Sequence, residues 1–213
     1  LRFLHPVEPV HPPRPSGRES LIIAVIPAKG GSRRLPNKNM VKVGGLPMLD
    51  YSIRAVRACE RIDAVYVSTD SDEIALHAES HGVPVIRRPE SLGGETPIAD
   101  VYRHAVGSVG SVGEAVEVVV GLQPDHPDRD VSVSDALDRF LAEGVDRLMS
   151  TEADGTKNGA HYILSRHFLE TGESRKDVVI VDDCTNIHHA SDLARAEARL
   201  ADRSEAAFDE SNG

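Results

Sequence analysis

Lys29, Arg33, Arg34 and Lys38 share one short stretch with the adjacent glycines Gly30 and Gly31 and the hydroxyl of Ser32. These residue types answer to one kind of chemistry. Neighbouring glycines let the backbone approach a ligand closely, and a nest of inward-turned N–H groups binds phosphate oxygens. Each charge-assisted hydrogen bond from a cation to a phosphate oxygen contributes about 1.5–3 kcal/mol. The stretch directly follows an apolar run at 21–26, and this placement favours an anion site over a surface loop with scattered basic residues. Neither the Walker spacing nor the Gly-x-Gly-x-x-Gly dinucleotide fingerprint is present.

The elements that must position this loop are legible in outline. Short apolar runs at 21–26, 64–67, 83–86, 116–120, 160–164 and 178–181 read as strands, the first as one buried on both faces. Between them, Leu49, Ile53 and Val56 form a helical stripe, as do Ile74, Ala75 and Ala78. Val133, Leu137 and Leu141 form a third, and Leu193, Ala196, Ala198 and Leu200 the last. Strands alternating with helices predict an α/β fold: a mostly parallel sheet with helices on both faces. Ligands of such sheets sit beyond the C-terminal ends of the strands. Residues 1–19, with Pro6, Pro9, Pro12, Pro13 and Pro15, read as an extended leader, residues 20–200 as one domain, and residues 201–213 as a frayed polar tail.

A chain of 213 residues holds one such domain with a substantial core. Its formal net charge of -10 argues against sequence-independent nucleic-acid binding. No apolar run approaches the roughly 20 residues that cross a bilayer, and the proline-rich start lacks the apolar segment of a secretory signal. Two cysteines, Cys59 and Cys184, are too few for a disulfide framework and fit a reducing cytoplasmic setting.

The stretch from Pro27 to Asn39 resembles the Ala-Arg-Gly-Gly-Ser-Lys-Gly-Ile-Pro-x-Lys-Asn signature of the CMP-sialate and CMP-Kdo type cytidylyltransferases, the sialate branch in particular. Further landmarks follow in order: Val67-Ser68-Thr69-Asp70, Arg88-Pro89-Glu90-Ser91-Leu92 with Glu95-Thr96, Leu122-Gln123-Pro124, Asn158-Gly159-Ala160-His161-Tyr162, and Asp192-Leu193 with Ala196-Glu197. The resemblance implies a Rossmann-like fold of the nucleotide-diphospho-sugar transferase type, with CTP as substrate. By it, Ala28, Gly30, Gly31 and Ser32 cradle the triphosphate and Lys29, Arg33 and Lys38 are catalytic, on a loop expected to be exposed. Lys29 stands where the family has arginine, which keeps the charge and loses the bidentate fork. Asn39 and Arg88 fall at the cytosine and ribose end and Gln123 near the acceptor or ribose; Asp70, Thr96 and Asn158 complete the substrate-binding set.

Two departures carry information. Asn186 and His188 replace the family's two metal-holding aspartates, and imidazole is a poor ligand for a hard cation. Mg2+ held by triphosphate oxygens with help from Asp182, Asp183 or Asp125 is one reading. His188 taking a softer ion such as Mn2+ is a second, and lost catalysis a third. Asp183 and His188 are the ligands assigned. The family's long insertion is also missing: only residues 124–157 separate Gln123 from Asn158. A small acidic acceptor fits better than a nine-carbon sugar acid, and in this the chain resembles the cytidylyltransferases of the family that act on small phosphonates such as phosphonoformate. A sialate-like sugar acid and a non-catalytic CTP-binding homologue are the alternatives. Without the insertion, the family's usual homodimer stays open.

Overall fold

The computed structural model describes residues 20–32, 34–94 and 96–211. The proline-rich leader, Arg33 and Glu95 lie outside them. Seven strands form the main sheet: β1 (Leu21–Pro27), β4 (Ala64–Thr69), β5 (Val85–Arg87), β6 (Val116–Gly121), β7 (Arg147–Thr151), β8 (Lys157–Ser165) and β9 (Asp177–Val181). Two further short strands, β2 (Lys42–Val43) and β3 (Leu46–Pro47), make a separate hairpin. The sheet order is β5-β4-β1-β6-β8-β7-β9. All neighbours are parallel except β8, which runs against both β6 and β7. A tight turn explains the exception: Glu152 N donates to Thr156 O between β7 and β8, which leaves too little chain for a crossover.

The helices are α1 (Met48–Arg57), α2 (Asp72–Ser80), α3 (Ile98–Ser108), α4 (Ser111–Glu114), α5 (Val133–Glu143), α6 (Arg166–Thr171) and α7 (Ala190–Ser211). Strand β1 shows why its apolar run is unbroken. Ala24 and Ile26 face one core layer with Leu49 and Ile53 of α1, Ile74 of α2 and Leu137 of α5. Ile23 and Val25 face the other, with Tyr102 of α3 and Phe168 of α6. Side chains alternate along a strand, so a central strand between two helix layers is apolar at every position. A third cluster joins Val43, Met48, Ile187 and Ala196, docking α7 on the hairpin.

The final helix runs from Ala190 to Ser211, and no glycine or proline interrupts it before Gly213. Two sequence expectations are corrected. Leu141 is 39% exposed, because α5 turns Val133, Ala136, Leu137 and Phe140 inward instead. At the sheet edge β9 buries only Val178 and Ile180, leaving Val179 and Val181 exposed.

Candidate active site

Strands β1, β4, β5 and β6 are parallel, so their C-terminal ends open on one side of the sheet. The glycine-rich loop leaves β1 at that edge. Ala28, buried, extends the ladder one step further by donating N–H to Ser68 O at 2.9 Å. Gly30 N then donates to Asp70 Oδ1 at 2.7 Å, so this amide braces the loop against the end of β4 and is not free for a ligand. A Cβ on Gly30 would stand 2.8 Å from Ser71 Cβ, whereas one on Gly31 would meet nothing within 4 Å. Gly31 and Ser32 therefore form the open part of the turn. Asn39, buried, donates its amide to Lys29 O at 2.8 Å and ties the loop's two ends together.

A cleft of about 220 Å³ opens beside this loop, lined by Lys29, Lys38, Asn39, Arg88, Thr96, Gln123 and Asp125 among others. Residues far apart in the chain thus line one cleft. Lys29 is exposed and reaches across to Gly94 O at 3.5 Å. Arg88 is buried at the floor, donating to Ser68 O at 2.8 Å. Burial lowers its pKa and the Asp70 carboxylate opposes that shift. Thr96 Oγ1 donates to Gly93 O at 2.8 Å, which shapes the rim.

Lys38 departs from expectation. Its side chain is 15% exposed and its Nζ lies 2.6 Å from Asp125 Oδ2 and 3.1 Å from Ile187 O. It is a half-buried ion-pair member rather than an exposed loop cation, because the loop folds back over the exit of β6. Burial pushes the Asp125 carboxyl up, but His126 and Lys38 beside it overcome that and hold it well below the usual carboxylate range. Asp125 Oδ1, both ring nitrogens of His126 and Oδ1 of Asn186 are buried without a hydrogen-bond partner. His126 Nδ1 sits 3.1 Å from Asp125 Oδ1 without hydrogen-bond geometry. The segments carrying these atoms are joined by Ile187 N donating to Asp125 O at 2.9 Å.

A second cleft of about 280 Å³ shares Ile98 and Gln123 with the first and adds Met149, Ser150, Lys157, Asn158, His161 and Tyr162. Gln123 is the wall between them. A Cβ on Gly159 would come within 2.5 Å of Gln123 Nε2, so the glycine makes room for that side chain. Asn158 plays a different part from the one expected. It accepts from Ser150 Oγ and Ala160 N and donates to Asp182 O at 2.7 Å. Its polar atoms are spent on joining β7, β8 and the exit of β9.

The two residues assigned to metal differ in their surroundings. Among the described residues, neither Asp183 nor His188 belongs to a cluster of three potential metal-ligating side chains. The inside-outside alternation of β9 continues past its end, leaving Asp183 exposed while Asp182 is buried. Asp182 in turn accepts from the N–H groups of Asp130 and Val131 and from His161 Nε2. His188 is half-buried beside the cleft, its pKa lowered by burial and then by Lys38, so it is neutral at physiological pH.

Arg129, which the sequence gives no role, holds the site from behind. Its guanidinium donates to the carbonyls of Ala160 at 2.9 Å and His126 at 2.6 Å, and also to that of Gln123. One side chain therefore pins the turn carrying Gln123 and Asp125. An arginine two residues beyond an Asp-His-Pro turn is no signal by itself. Only the fold brings the three carbonyls to it.

The family described as cytidylyltransferase matches residues 23–198. The N-acylneuraminate cytidylyltransferase of Escherichia coli O18:K1:H7 is 37% identical over 110 residues, 51% of this chain and 25% of that protein. The 3-deoxy-manno-octulosonate cytidylyltransferase of Acidobacterium capsulatum is 32% identical over 106 residues, 50% of this chain and 40% of that protein. The chain thus spans less than half the length of these two relatives. A solved CMP:2-keto-3-deoxy-manno-octonic acid synthetase complexed with CTP superposes with TM-score 0.69 at 15% identity, covering 86% of this chain and all of that one; at that identity the likeness is one of fold. The family match includes the glycine-rich loop and the residues named at both clefts, and the chain belongs to the cytidylyltransferase family.

Proposed function

We propose that the protein transfers CMP from CTP to a small acidic acceptor. An acceptor oxygen attacks the α-phosphorus in line, the bond from that phosphorus to the bridging oxygen of the β-phosphate breaks, and pyrophosphate leaves with the electron pair. One observation carries the reading: a cleft bearing Lys29, Lys38 and Arg88 at the strand ends shares the wall Gln123 with a second cleft. Two substrates seated side by side would meet there. Positioning and neutralisation of charge on the leaving group account for most of such catalysis. Lys29 and Lys38, with Arg33 from the same loop, supply that charge.

A small phosphonate such as phosphonoformate is the proposed acceptor. Residues 152–156 join β7 to β8 in a tight turn, so no inserted arm from this region encloses a large sugar acid. Lys157, exposed at the second cleft, offers it a cation. A phosphonate oxygen is anionic near neutral pH and needs no general base, whereas a sugar hydroxyl does. The sugar-acid reading draws on the names of the relatives, which act on N-acylneuraminate and 3-deoxy-manno-octulosonate.

A hard divalent cation, magnesium by preference, fits at Asp125. Its Oδ1 is buried without a hydrogen bond, 3.1 Å from His126 Nδ1, while Lys38 takes Oδ2, and a carboxylate oxygen suits such an ion. When bound with triphosphate oxygens, the ion would supply further charge neutralisation. Asp125 thereby takes over from the missing carboxylates at Asn186 and His188. The two cysteines are buried and free, in keeping with a proposed cytoplasmic setting; among the described residues no helix is long and apolar enough to cross a membrane.

Pyrophosphate release from CTP, with magnesium and a panel of acceptors, tests the assignment. Turnover with phosphonoformate or another small phosphonate and none with sialic or Kdo acids is expected. The reverse pattern would replace the acceptor, and CTP binding without turnover on any acceptor would leave a nucleotide-binding homologue.

A further inference from the structure

Away from both clefts, three side chains that no step of this chemistry uses converge between α1 and α2. His77 on α2 and His81, which ends that helix, lie one turn apart, and Asp50 comes from the first turn of α1. His77 Nε2 is 2.6 Å and His81 Nε2 3.8 Å from the same oxygen, Asp50 Oδ1. The potential ligand atoms of all three lie within 4.8 Å of one another. The imidazole rings stand 4.6 Å apart, tilted by 43°.

We propose that Asp50, His77 and His81 bind a divalent transition-metal cation of the zinc class at a site separate from the nucleotide cleft. Two imidazoles and one carboxylate form a donor set that suits zinc, cobalt or nickel and suits magnesium poorly. Histidines at i and i+4 face the same way on a helix, so the pair comes ready-made. Burial is graded to match: the Asp50 side chain is 6% exposed, His77 21% and His81 39%. The carboxylate forms the floor and the imidazoles a rim open to solvent, where water takes the fourth position of a tetrahedron.

Bonds of about 2.0–2.2 Å place tetrahedral ligand atoms about 3.3–3.5 Å apart. The two separations from Asp50 Oδ1 bracket that range, so relative to that oxygen His77 swings outward by less than about 1 Å and His81 inward by less. Both are side-chain adjustments on a partly open surface. The consequence is mechanical. The other end of α2 braces the glycine-rich loop, through Ser71 against Gly30 and through Asn37 Nδ2 donating to Glu73 Oε2 at 2.9 Å. An ion tying α2 to α1 at Asp50 holds that brace in place without touching substrate.

The test uses the full chain without an affinity tag, stripped of metal and titrated with zinc against a chromophoric chelator. One equivalent is expected to bind. Zinc at a hundredfold excess over Kd raises Tm by about 5–10 °C. His77→Ala/His81→Ala weakens binding by more than about 100-fold, while His188→Ala retains it. Because the double variant removes the Asp50–His77 pair and so risks the fold, His81→Gln at the exposed rim is measured beside it, together with the visible absorption of the wild-type cobalt derivative. A tetrahedral cobalt spectrum lost in His81→Gln supports the site. No zinc uptake by the wild-type chain, or uptake unchanged in His81→Gln and in a folded double variant, overturns it. None of these readouts depends on turnover, so the site stands or falls independently of the proposed reaction.

Discussion

At the residue scale, the two lysines of the loop do different work although they look alike in sequence. Lys29 is exposed and holds one long contact to a carbonyl. Its replacement by alanine leaves the fold within about 0.5 kcal/mol of wild type, while the loss of a cation aimed at the triphosphate lowers kcat/KM by about 100-fold. Lys38 is paired with a buried carboxylate. Lys38→Ala strands Asp125 without its counter-charge, and breaking such a pair costs about 3–5 kcal/mol. Removing both partners in Lys38→Ala/Asp125→Ala returns most of that stability and none of the turnover. Urea unfolding of the three variants with steady-state rates checks the contrast. Equal stability of the two single variants would show that the Lys38 pair is not buried in solution, and normal rates in both would remove the triphosphate cradle.

At the element scale, the glycine-rich loop is a part fitted against α2, and the adjacent glycines have separate reasons to be there. A methyl group at Gly30 collides with Ser71, the N-cap of α2, whose hydroxyl accepts from Ile74 N. Overpacking of this kind costs about 1–3 kcal/mol. Gly30→Ala is expected to lower Tm by about 2–10 °C and weaken CTP binding, because the loop must move away from Asp70. Gly31→Ala, with no protein atom in reach of the added methyl, leaves Tm nearly unchanged. Thermal unfolding of the two variants decides: equal losses of Tm at the two positions would contradict the bracing of the loop by α2. This local logic is also why the site was readable in part. Glycines, cations and an apolar strand adjacent in sequence are neighbours in space, so the loop and its strand could be placed from residues 21–39 alone. Helix α3 went unassigned although Ile98, Val101, Tyr102 and Ala105 carry the helical period. Their stretch follows a motif-rich segment read for its landmarks, and α6, at six residues, is too short to show a period. The Lys38–Asp125 pair spans 87 positions and the carbonyls gathered by Arg129 come from the turn after β6 and from strand β8; pattern reading has no access to such contacts. The metal cluster was half visible, in the spacing of His77 and His81, but Asp50 reaches it only through packing.

At the scale of the whole molecule, opposing charge effects meet as pH falls. The chain carries a formal charge of -10 at pH 7 with a pI near 5.4, so mild acidification relieves self-repulsion and favours the compact state. Against this stands the junction where the exit of β9 holds the turn after β6. Asp182 accepts from two backbone N–H groups of that turn and from His161. His161 Nε2 faces two acceptors, Val131 O and Asp182 Oδ2, so it carries the proton, while Nδ1 has no partner. Burial lowers the His161 pKa in spite of the carboxylate, which keeps the ring neutral. For Asp182, burial raises the carboxyl, but the donors from His161, Asp130 and Val131 prevail and bring it down to about 2. A carboxyl depressed on folding stabilises the native state above its unfolded value and loses that contribution as pH falls through its folded one. The window therefore lies between about pH 4 and pH 2, and the contribution is about 2 kcal/mol. His161 adds an earlier decline that begins below its unfolded value of about 6.5, where the unfolded chain takes up a proton that the buried ring refuses. Stability measured by urea unfolding should thus crest near neutral to mildly acidic pH and fall steeply below pH 4. Asp182→Asn should be about 2 kcal/mol less stable at pH 7 and show a shallower acid limb, because the titrating group is gone. An acid limb of unchanged slope in that variant would mean that carboxylates elsewhere, such as Asp125 beneath Lys38, set the acid limit instead.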